Sequence, residues 1–161
     1  IDLARAVWLD CCECKMIDTI AREPLWRHLI NYRCGTGHSV SFVGNVHEGP
    51  HALNSRNTTR MRPGMVVTDE PGVYETDLVG IRIENELVCI HKADNQYGTF
   101  LGFEPLTFVP IATSPILPGV LDKDELAWLN DYHRQVFAKL APHLNAEERV
   151  WLAEKCASIG C

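Results

Sequence analysis

The chain has 161 residues, of which 46% are apolar and 22% are charged. This composition is ordinary for a globular protein, which excludes disorder over the bulk of the chain, and the length suits one domain or a large part of one. The 15 Lys and Arg are outnumbered by 21 Asp and Glu and form no dense basic block, so a nucleic-acid partner is not expected. No apolar run reaches the roughly 18 residues of a transmembrane helix, so no membrane partner is expected either.

The first part of the chain is predicted to contain two short helices followed by irregular structure. Residues 3–9 and residues 15–21 each carry apolar side chains at helical spacing. Pro24 is expected to end the second helix, because the residue before a proline is pushed away from helical geometry. The Gly- and His-rich stretch 35–49 follows, with a β-like run at 40–43.

The middle of the chain is predicted to form strands. Residues 65–68 read as a buried strand, and residues 80–90 alternate apolar and polar side chains as one strand. Its predicted apolar face is formed by Ile81, Ile83, Leu87 and Cys89, and its polar face by Arg82, Glu84 and Glu86. A further β-like run spans 100–111, interrupted by prolines.

The C-terminal part is predicted to be helical after a linker at 115–119. Asp122 with Glu125, and Asn145 with Glu148, have the spacing of capping boxes, so each pair predicts the start of a helix. Helices and strands in this order indicate an α+β fold.

Seven cysteines occur, an odd number, and three of them cluster at 11, 12 and 14. A structural zinc site would need a second pair of ligands at suitable spacing, which this cluster lacks. We therefore expect Cys11, Cys12 and Cys14 to be thiols in a turn, in a reducing cytosol.

Short polar motifs contain the residues that could carry chemistry. His38 ends Gly35-Thr36-Gly37-His38, Glu70 lies in Glu70-Pro71-Gly72-Val73-Tyr74, and Glu84 ends Ile81-Arg82-Ile83-Glu84. Imidazole and carboxylate together suit Zn, Mn, Fe or Co, and a pair of such ions can assist hydrolysis. Spacing alone leaves the ordinary alternatives open, because a lone His is more often structural and a polar strand face is more often simply solvated.

Taken together, these motifs resemble the M24 family of metallopeptidases, and within it the Xaa-Pro aminopeptidase branch. The likeness extends to Val46-His47-Glu48-Gly49-Pro50 and to the tail Phe103-Glu104-Pro105-Leu106-Thr107-Phe108. It implies the second half of a pita-bread fold over residues 1–112, followed by a C-terminal helical extension at 113–161. The implied activity is removal of the N-terminal residue from peptides with proline in second position.

The resemblance also implies roles for individual residues. His38, Glu70 and Glu84 match three of the five ligands of two divalent ions, commonly Mn²⁺, with Zn²⁺ or Co²⁺ as alternatives. Glu70 would also be the general base. His47 matches a His that contacts the substrate and steadies the tetrahedral intermediate, and Arg82 and Tyr74 match residues that line the site.

The sequence departs from the family pattern in several places. The two remaining ligands of the family, both Asp, have no counterpart before Gly35, so we expect them to lie upstream of Ile1. The isolated chain is then expected to have an incomplete active site and to be inactive. Ser39 and Ser41 replace glycines that the family usually has, and Cys34 replaces a His.

Two alternatives to the aminopeptidase reading stay open: an Xaa-Pro dipeptidase of the same family, and a non-catalytic, M24-like binding module. The tail after Phe103 favours the aminopeptidase, since its match lies outside the shared metal core. The expected partner is a proline-containing peptide, with a homodimer contact through the C-terminal region. The expected location is the cytoplasm.

Overall fold

The secondary structure combines strands and helices within residues 1–117 and 119–160, the part of the chain that the computed structural model describes. The strands are β1 (Val7–Leu9), β2 (Gly37–His38), β3 (Ala52–Leu53), β4 (Val66–Asp69), β5 (Gly72–Glu75), β6 (Val79–Arg82), β7 (Asn85–Asn95) and β8 (Gly98–Pro105). The helices are α1 (Cys14–Trp26), α2 (Lys123–Leu140) and α3 (Ala146–Lys155), with a short 3-10 turn at Ala141–His143. The predicted α+β class is therefore confirmed.

The chain forms two compact units, Asp2–Thr107 and Phe108 onward, with Ile1 grouped in the second. The sequence instead predicts a boundary between residues 112 and 113, where the catalytic half would give way to the helical extension. That boundary stays a prediction, because a division by spatial contacts is not a division by function.

The main sheet of the first unit is antiparallel, with the strand order β1-β8-β7-β4. Leu87 and Cys89 on β7 and Val67 on β4 are fully buried. The rings of Trp8 and Phe103 pack against each other at a tilt of 48°, with centroids 4.6 Å apart. Burial raises the pKa of the Cys89 thiol to about 11, so this cysteine is a protonated core residue. β4 of this sheet also contacts the chain at residues 37–39, through a bridge between Val67 and Ser39.

Two predictions at the start of the chain need correction. Residues 3–9 do not form a helix, because Val7–Leu9 pairs with β8 instead, and this tertiary pairing overrides the helical pattern. The second predicted helix is confirmed as α1, but Pro24 does not end it. The amide of Arg27 donates to the carbonyl of Glu23 at 3.1 Å and closes a last turn beyond the proline ring.

Two of the predicted strands also differ from the structure. Residues 40–43 form no strand, and Phe42 and Val43 are exposed to solvent. The single strand predicted at 80–90 is two strands, since β6 pairs with β5 whereas β7 pairs with β4 and β8. The alternation of apolar and polar residues continues in the sequence, but the pairing partner changes. The predicted apolar face is therefore divided: Leu87 and Cys89 are buried, whereas Ile81 and Ile83 are 58% and 52% exposed.

The remaining predictions from the strand and linker regions are confirmed in part. The strand at 65–68 is β4, shifted by one residue, and the β-like run 100–111 is regular only as far as Pro105. The linker predicted at 115–119 includes Pro118, which lies outside the described residues. None of the described helices has the length and apolar character that crossing a membrane requires.

The second unit is built on two capped helices, as the sequence predicts. The side chain of Asp122 accepts hydrogen bonds from the amides of Asp124 and Glu125, and Asn145 accepts one from Glu148. Tyr132, Val136 and Leu152 form the buried core of this unit.

A segment before α2 is pinned to that helix by two adjacent side chains. The Tyr132 hydroxyl accepts from the amide of Val109 at 3.2 Å and donates to its carbonyl at 2.9 Å. The next residue, His133, is fully buried, and its Nε2 accepts from the amide of Ile111 at 3.1 Å. His133 must therefore be neutral at Nε2 to hold the segment.

The backbones of β2 and β4 approach so closely that residue 37 has to be glycine. A Cβ added to Gly37 would lie 1.7 Å from the carbonyl oxygen of Thr68, which is a backbone atom and cannot swing aside. A bridge between Ser39 and Val67 continues this approach by two residues. His38 can therefore lie against β4 only because its neighbour, Gly37, has no side chain.

Replacing Gly37 with Ala should separate β2 from β4. We expect the free energy of unfolding to fall by about 1–3 kcal/mol, the range for overpacking a tight site, as measured by urea denaturation. Gly160→Ala is the matched control, since an added Cβ there has open space, and its effect should stay within about 0.5 kcal/mol. Wild-type stability in Gly37→Ala would contradict the close approach.

The bond from Ile111 to His133 should weaken in acid. Burial lowers the pKa of His133 below its ordinary value of 6.5. The stabilisation is therefore complete above that value and is lost as the pH falls from it toward the lowered folded-state pKa. Exchange of the Ile111 amide, corrected for the intrinsic effect of pH, should accelerate over this window in the wild type.

His133→Gln, which keeps a neutral acceptor, should remove that acceleration. His143→Gln is the control, because His143 is an exposed histidine of the same unit. If the acceleration persists in His133→Gln, another group controls the segment.

Candidate functional site

The backbone amide and both ring nitrogens of His38, at the end of β2, have close polar neighbours. Its amide donates to the Thr68 hydroxyl at 3.0 Å, and its Nδ1 lies 3.0 Å from the carbonyl oxygen of Ser39. Its Nε2 lies 3.0 Å from Oε1 of Glu70. The side chains of His38 and Glu70 are 18% and 22% exposed, so the pair is sheltered but reachable.

Glu70 follows β4 directly and is fixed from two sides. Its amide donates to the carbonyl of Thr36 at 2.7 Å, and the Thr68 hydroxyl donates to its Oε1 at 3.0 Å. Thr68 thus bonds to both His38 and Glu70. Sequence reasoning missed this role, although residues two apart on a strand point to the same face, which would have placed Thr68 beside Glu70.

The contact between Nε2 of His38 and Oε1 of Glu70 depends on which atoms carry a proton. Nδ1 of His38 faces the carbonyl of Ser39, which can only accept, so Nδ1 carries the proton. In the neutral ring Nε2 then carries a lone pair that points at Oε1 of Glu70. These two atoms are both acceptors, and at 3.0 Å they repel each other. A second proton or a metal ion resolves the repulsion, and metal-binding histidines typically donate their other N–H to a carbonyl in this way.

His47 lies beside this pair on the exposed loop after β2. Its ring centroid is 4.0 Å from that of His38, with 53° between the ring planes. The structure therefore places His47 next to the predicted ligand His38.

Three further predicted site residues gather on the β5–β6 hairpin and just after it. Nη1 of Arg82 donates to the Tyr74 hydroxyl at 3.3 Å, and its Nε lies 3.3 Å from Oε2 of Glu84. The pKa of Arg82 is raised, chiefly by the hydrogen bond to Tyr74, then by the charge of Glu84 and, more weakly, by that of Glu70. Arg82 therefore contacts two of the predicted site residues directly, Tyr74 and Glu84.

The donor chemistry of His38 and Glu70 fits a divalent transition metal, but the two residues do not form a complete site. Within residues 1–117 and 119–160, no three His, Cys, Asp or Glu side chains lie together in a way that could hold an ion. Glu84 is paired with Arg82 instead. The assignment of all three residues as ligands therefore stays a prediction.

A buried carboxyl beside the site also escaped the sequence analysis. Asp69, the last residue of β4, is 8% exposed, and burial raises its pKa to about 6. Only its burial distinguishes Asp69 from a surface acid, and the sequence does not show that this end of β4 is buried.

The cysteines near the start of the chain are free thiols. Cys11 is exposed, Cys12 is partly buried, and Cys14 is buried. Burial raises the pKa of Cys12 and of Cys14, so both are protonated and poor metal ligands. Cys34 is exposed, and its thiol lies 3.5 Å from the carbonyl of Gly72.

Comparison with known proteins identifies relatives of the whole chain. The model described as metallopeptidase family M24 matches residues 3–91, and a model of the C-terminal region of peptidase M24 matches residues 99–159. Aminopeptidase P1 of Lotus japonicus is 39% identical, over 99% of this chain and 25% of its own length.

Solved structures agree with this result. The X-prolyl aminopeptidase of Caenorhabditis elegans, described as a cytosolic enzyme with a di-nuclear active site, matches with a TM-score of 0.90 and 38% identity, over 98% of this chain and 27% of that one. Prolidase from Pyrococcus furiosus matches with a TM-score of 0.55 and 27% identity, over 67% of this chain and 29% of its own.

The chain spans about a quarter of the length of these relatives. Its fold is the C-terminal half of the pita-bread fold, as the motifs predict. The M24 model alone covers more than half of the residues. The chain therefore belongs to metallopeptidase family M24.

Proposed function

We propose that this chain supplies the C-terminal half of the active site of a metal-dependent aminopeptidase, which removes the N-terminal residue from peptides with proline in second position. The observation that carries the proposal is the sheltered contact of His38 with Glu70 at 3.0 Å, which places an imidazole nitrogen and a carboxylate oxygen where both could ligate one divalent ion. The two relatives that match nearly all of this chain are aminopeptidases, which supports the choice of substrate.

The proposed ligands from this chain are His38, Glu70 and Glu84, and two Asp ligands are expected outside it. When bound, two divalent ions, for which we favour Mn²⁺ over Zn²⁺ or Co²⁺, would polarise the scissile carbonyl and lower the pKa of a water molecule. Glu70 would accept the proton of that water and return it to the leaving proline nitrogen. The hydroxyl of Thr68 holds the carboxylate of Glu70 in place for both transfers.

The other site residues would bind and orient the substrate. His47 lies next to His38 and would donate to the oxygen on which negative charge develops. Arg82, which bonds to Tyr74 and contacts Glu84, would hold these two groups in position by charge-assisted contacts. For the whole protein we further propose a cytoplasmic location, as in the nematode relative, and a homodimer through the C-terminal region.

An Xaa-Pro dipeptidase is the second candidate, because prolidase shares the fold of two thirds of this chain. The nematode aminopeptidase accounts for nearly all of the chain, including the C-terminal helices. The aminopeptidase is therefore the better supported function.

A chimaera tests the proposal directly. This chain would replace the matching 27% of the C. elegans enzyme, and the product would be loaded with Mn²⁺ and assayed on a tripeptide with proline in second position. We expect cleavage after the first residue. Glu70→Gln should lower kcat by about 10²–10⁴-fold, the usual contribution of a general base.

Glu154→Gln is the matched control, since Glu154 is an exposed acid of α3, and it should leave kcat unchanged. Cleavage of Xaa-Pro dipeptides but not of the tripeptide would favour the dipeptidase. A folded, Mn²⁺-loaded chimaera that cleaves neither peptide would contradict the proposal and favour a non-catalytic module.

A further inference from the structure

A buried acid on α1 is tied to the loop that carries His38. Asp18 is 1% exposed, and its Oδ2 accepts from Nε of Arg22 at 2.8 Å. Its Oδ1 accepts from the hydroxyl of Thr36, which is fully buried. Since the Thr36 proton is committed to Asp18, the Tyr32 hydroxyl must be the donor in its contact with Thr36.

Arg22 holds the same loop through its remaining nitrogens. Nη1 donates to the carbonyl of Tyr32 at 2.9 Å and to Oδ1 of Asn31 at 3.2 Å, and Nη2 donates to the carbonyl of Cys34 at 2.9 Å. The guanidinium also lies 4.1 Å from the centroid of the Tyr32 ring. Only the planar fork of Arg can reach these partners at once, so Lys could not replace it.

Thr36 connects the Asp18–Arg22 pair with the candidate site through its backbone. Its amide donates to the carbonyl of Leu53 at 2.8 Å, and its carbonyl accepts from the amide of Glu70 at 2.7 Å. Two residues later the chain reaches His38. One buried residue thus connects Asp18 with the backbone positions of both Glu70 and His38.

We propose that Asp18, Arg22 and Thr36 form a positioning network that sets the alignment of His38 and Glu70. None of the three touches the reacting atoms, and the network acts through the backbone of Thr36. Apolar residues of similar volume often stabilise a fold as well as a buried ion pair does, so a gain in stability alone does not account for these residues. The catalytic consequence of this alignment rests on the proposed function, but the alignment itself does not.

The first test uses the 161-residue chain and needs no activity. Thr36→Val removes the hydroxyl at nearly constant volume, whereas Thr36→Ser retains it. We expect exchange of the Glu70 amide, followed by NMR, to accelerate about tenfold or more in Thr36→Val, because its acceptor is no longer fixed. The amides of Cys89 and Phe103 in the β7–β8 ladder should be unaffected, and Thr36→Ser should behave as the wild type.

The second test measures kinetics in the chimaera. Thr36→Val should lower kcat by up to about 10²-fold, the loss that a 1 Å misplacement can cause, while KM changes little and Thr36→Ser restores kcat. If Thr36→Val does not fold, Tyr32→Phe, which removes only the outer hydroxyl, should give a smaller change in the same direction.

The outcomes separate this inference from the proposed function. Equal acceleration of exchange across the whole first unit, with kcat of the folded enzyme unchanged, would show a merely structural role and overturn the network. Selective acceleration at Glu70 in the 161-residue chain, together with an unmutated chimaera that cleaves neither peptide, would support the network and contradict the proposed function.

Discussion

The candidate site depends on a backbone approach that only glycine permits. The backbone of β2 lies so close to the carbonyl of Thr68 that residue 37 has no room for a Cβ. The same close approach brings the amide of His38 to the Thr68 hydroxyl. The same hydroxyl reaches Glu70, so one threonine aligns an imidazole with a carboxylate. In the resulting pair Nε2 of His38 lies 3.0 Å from Oε1 of Glu70, while Nδ1 faces a backbone carbonyl, as it does in many metal-binding histidines.

Much of the fold could be predicted from local sequence. The capping boxes at Asp122 and Asn145 and the buried strand before Asp69 follow from chemistry within a few residues, and the structure has them. The misses are non-local. Residues 7–9 are a strand only because β8 lies beside them, and the pattern of residues 80–90 does not reveal that its pairing partner changes after Arg82.

The candidate site shows the same division. The motifs predict His38, His47 and Glu70 as site residues, and in the structure both His47 and Glu70 lie against the ring of His38. Glu84 was expected beside them and is found with Arg82 instead, since its contacts depend on the hairpin and not on its motif. Strand alternation could have placed Thr68 beside Glu70, but its bond to His38 and the bond of Thr36 to Asp18 could not be predicted, because they span 30 and 18 positions of sequence.

Crystals of the chimaera grown with Mn²⁺, with data collected at the manganese absorption edge, would show whether His38 and Glu70 ligate a divalent ion. We expect an anomalous peak within bonding distance of Nε2 of His38 and of the Glu70 carboxylate, with Glu84 turned away from Arg82 toward the same centre. Manganese bound elsewhere, with Nε2 of His38 still in direct contact with Glu70, would show that these two residues are not ligands.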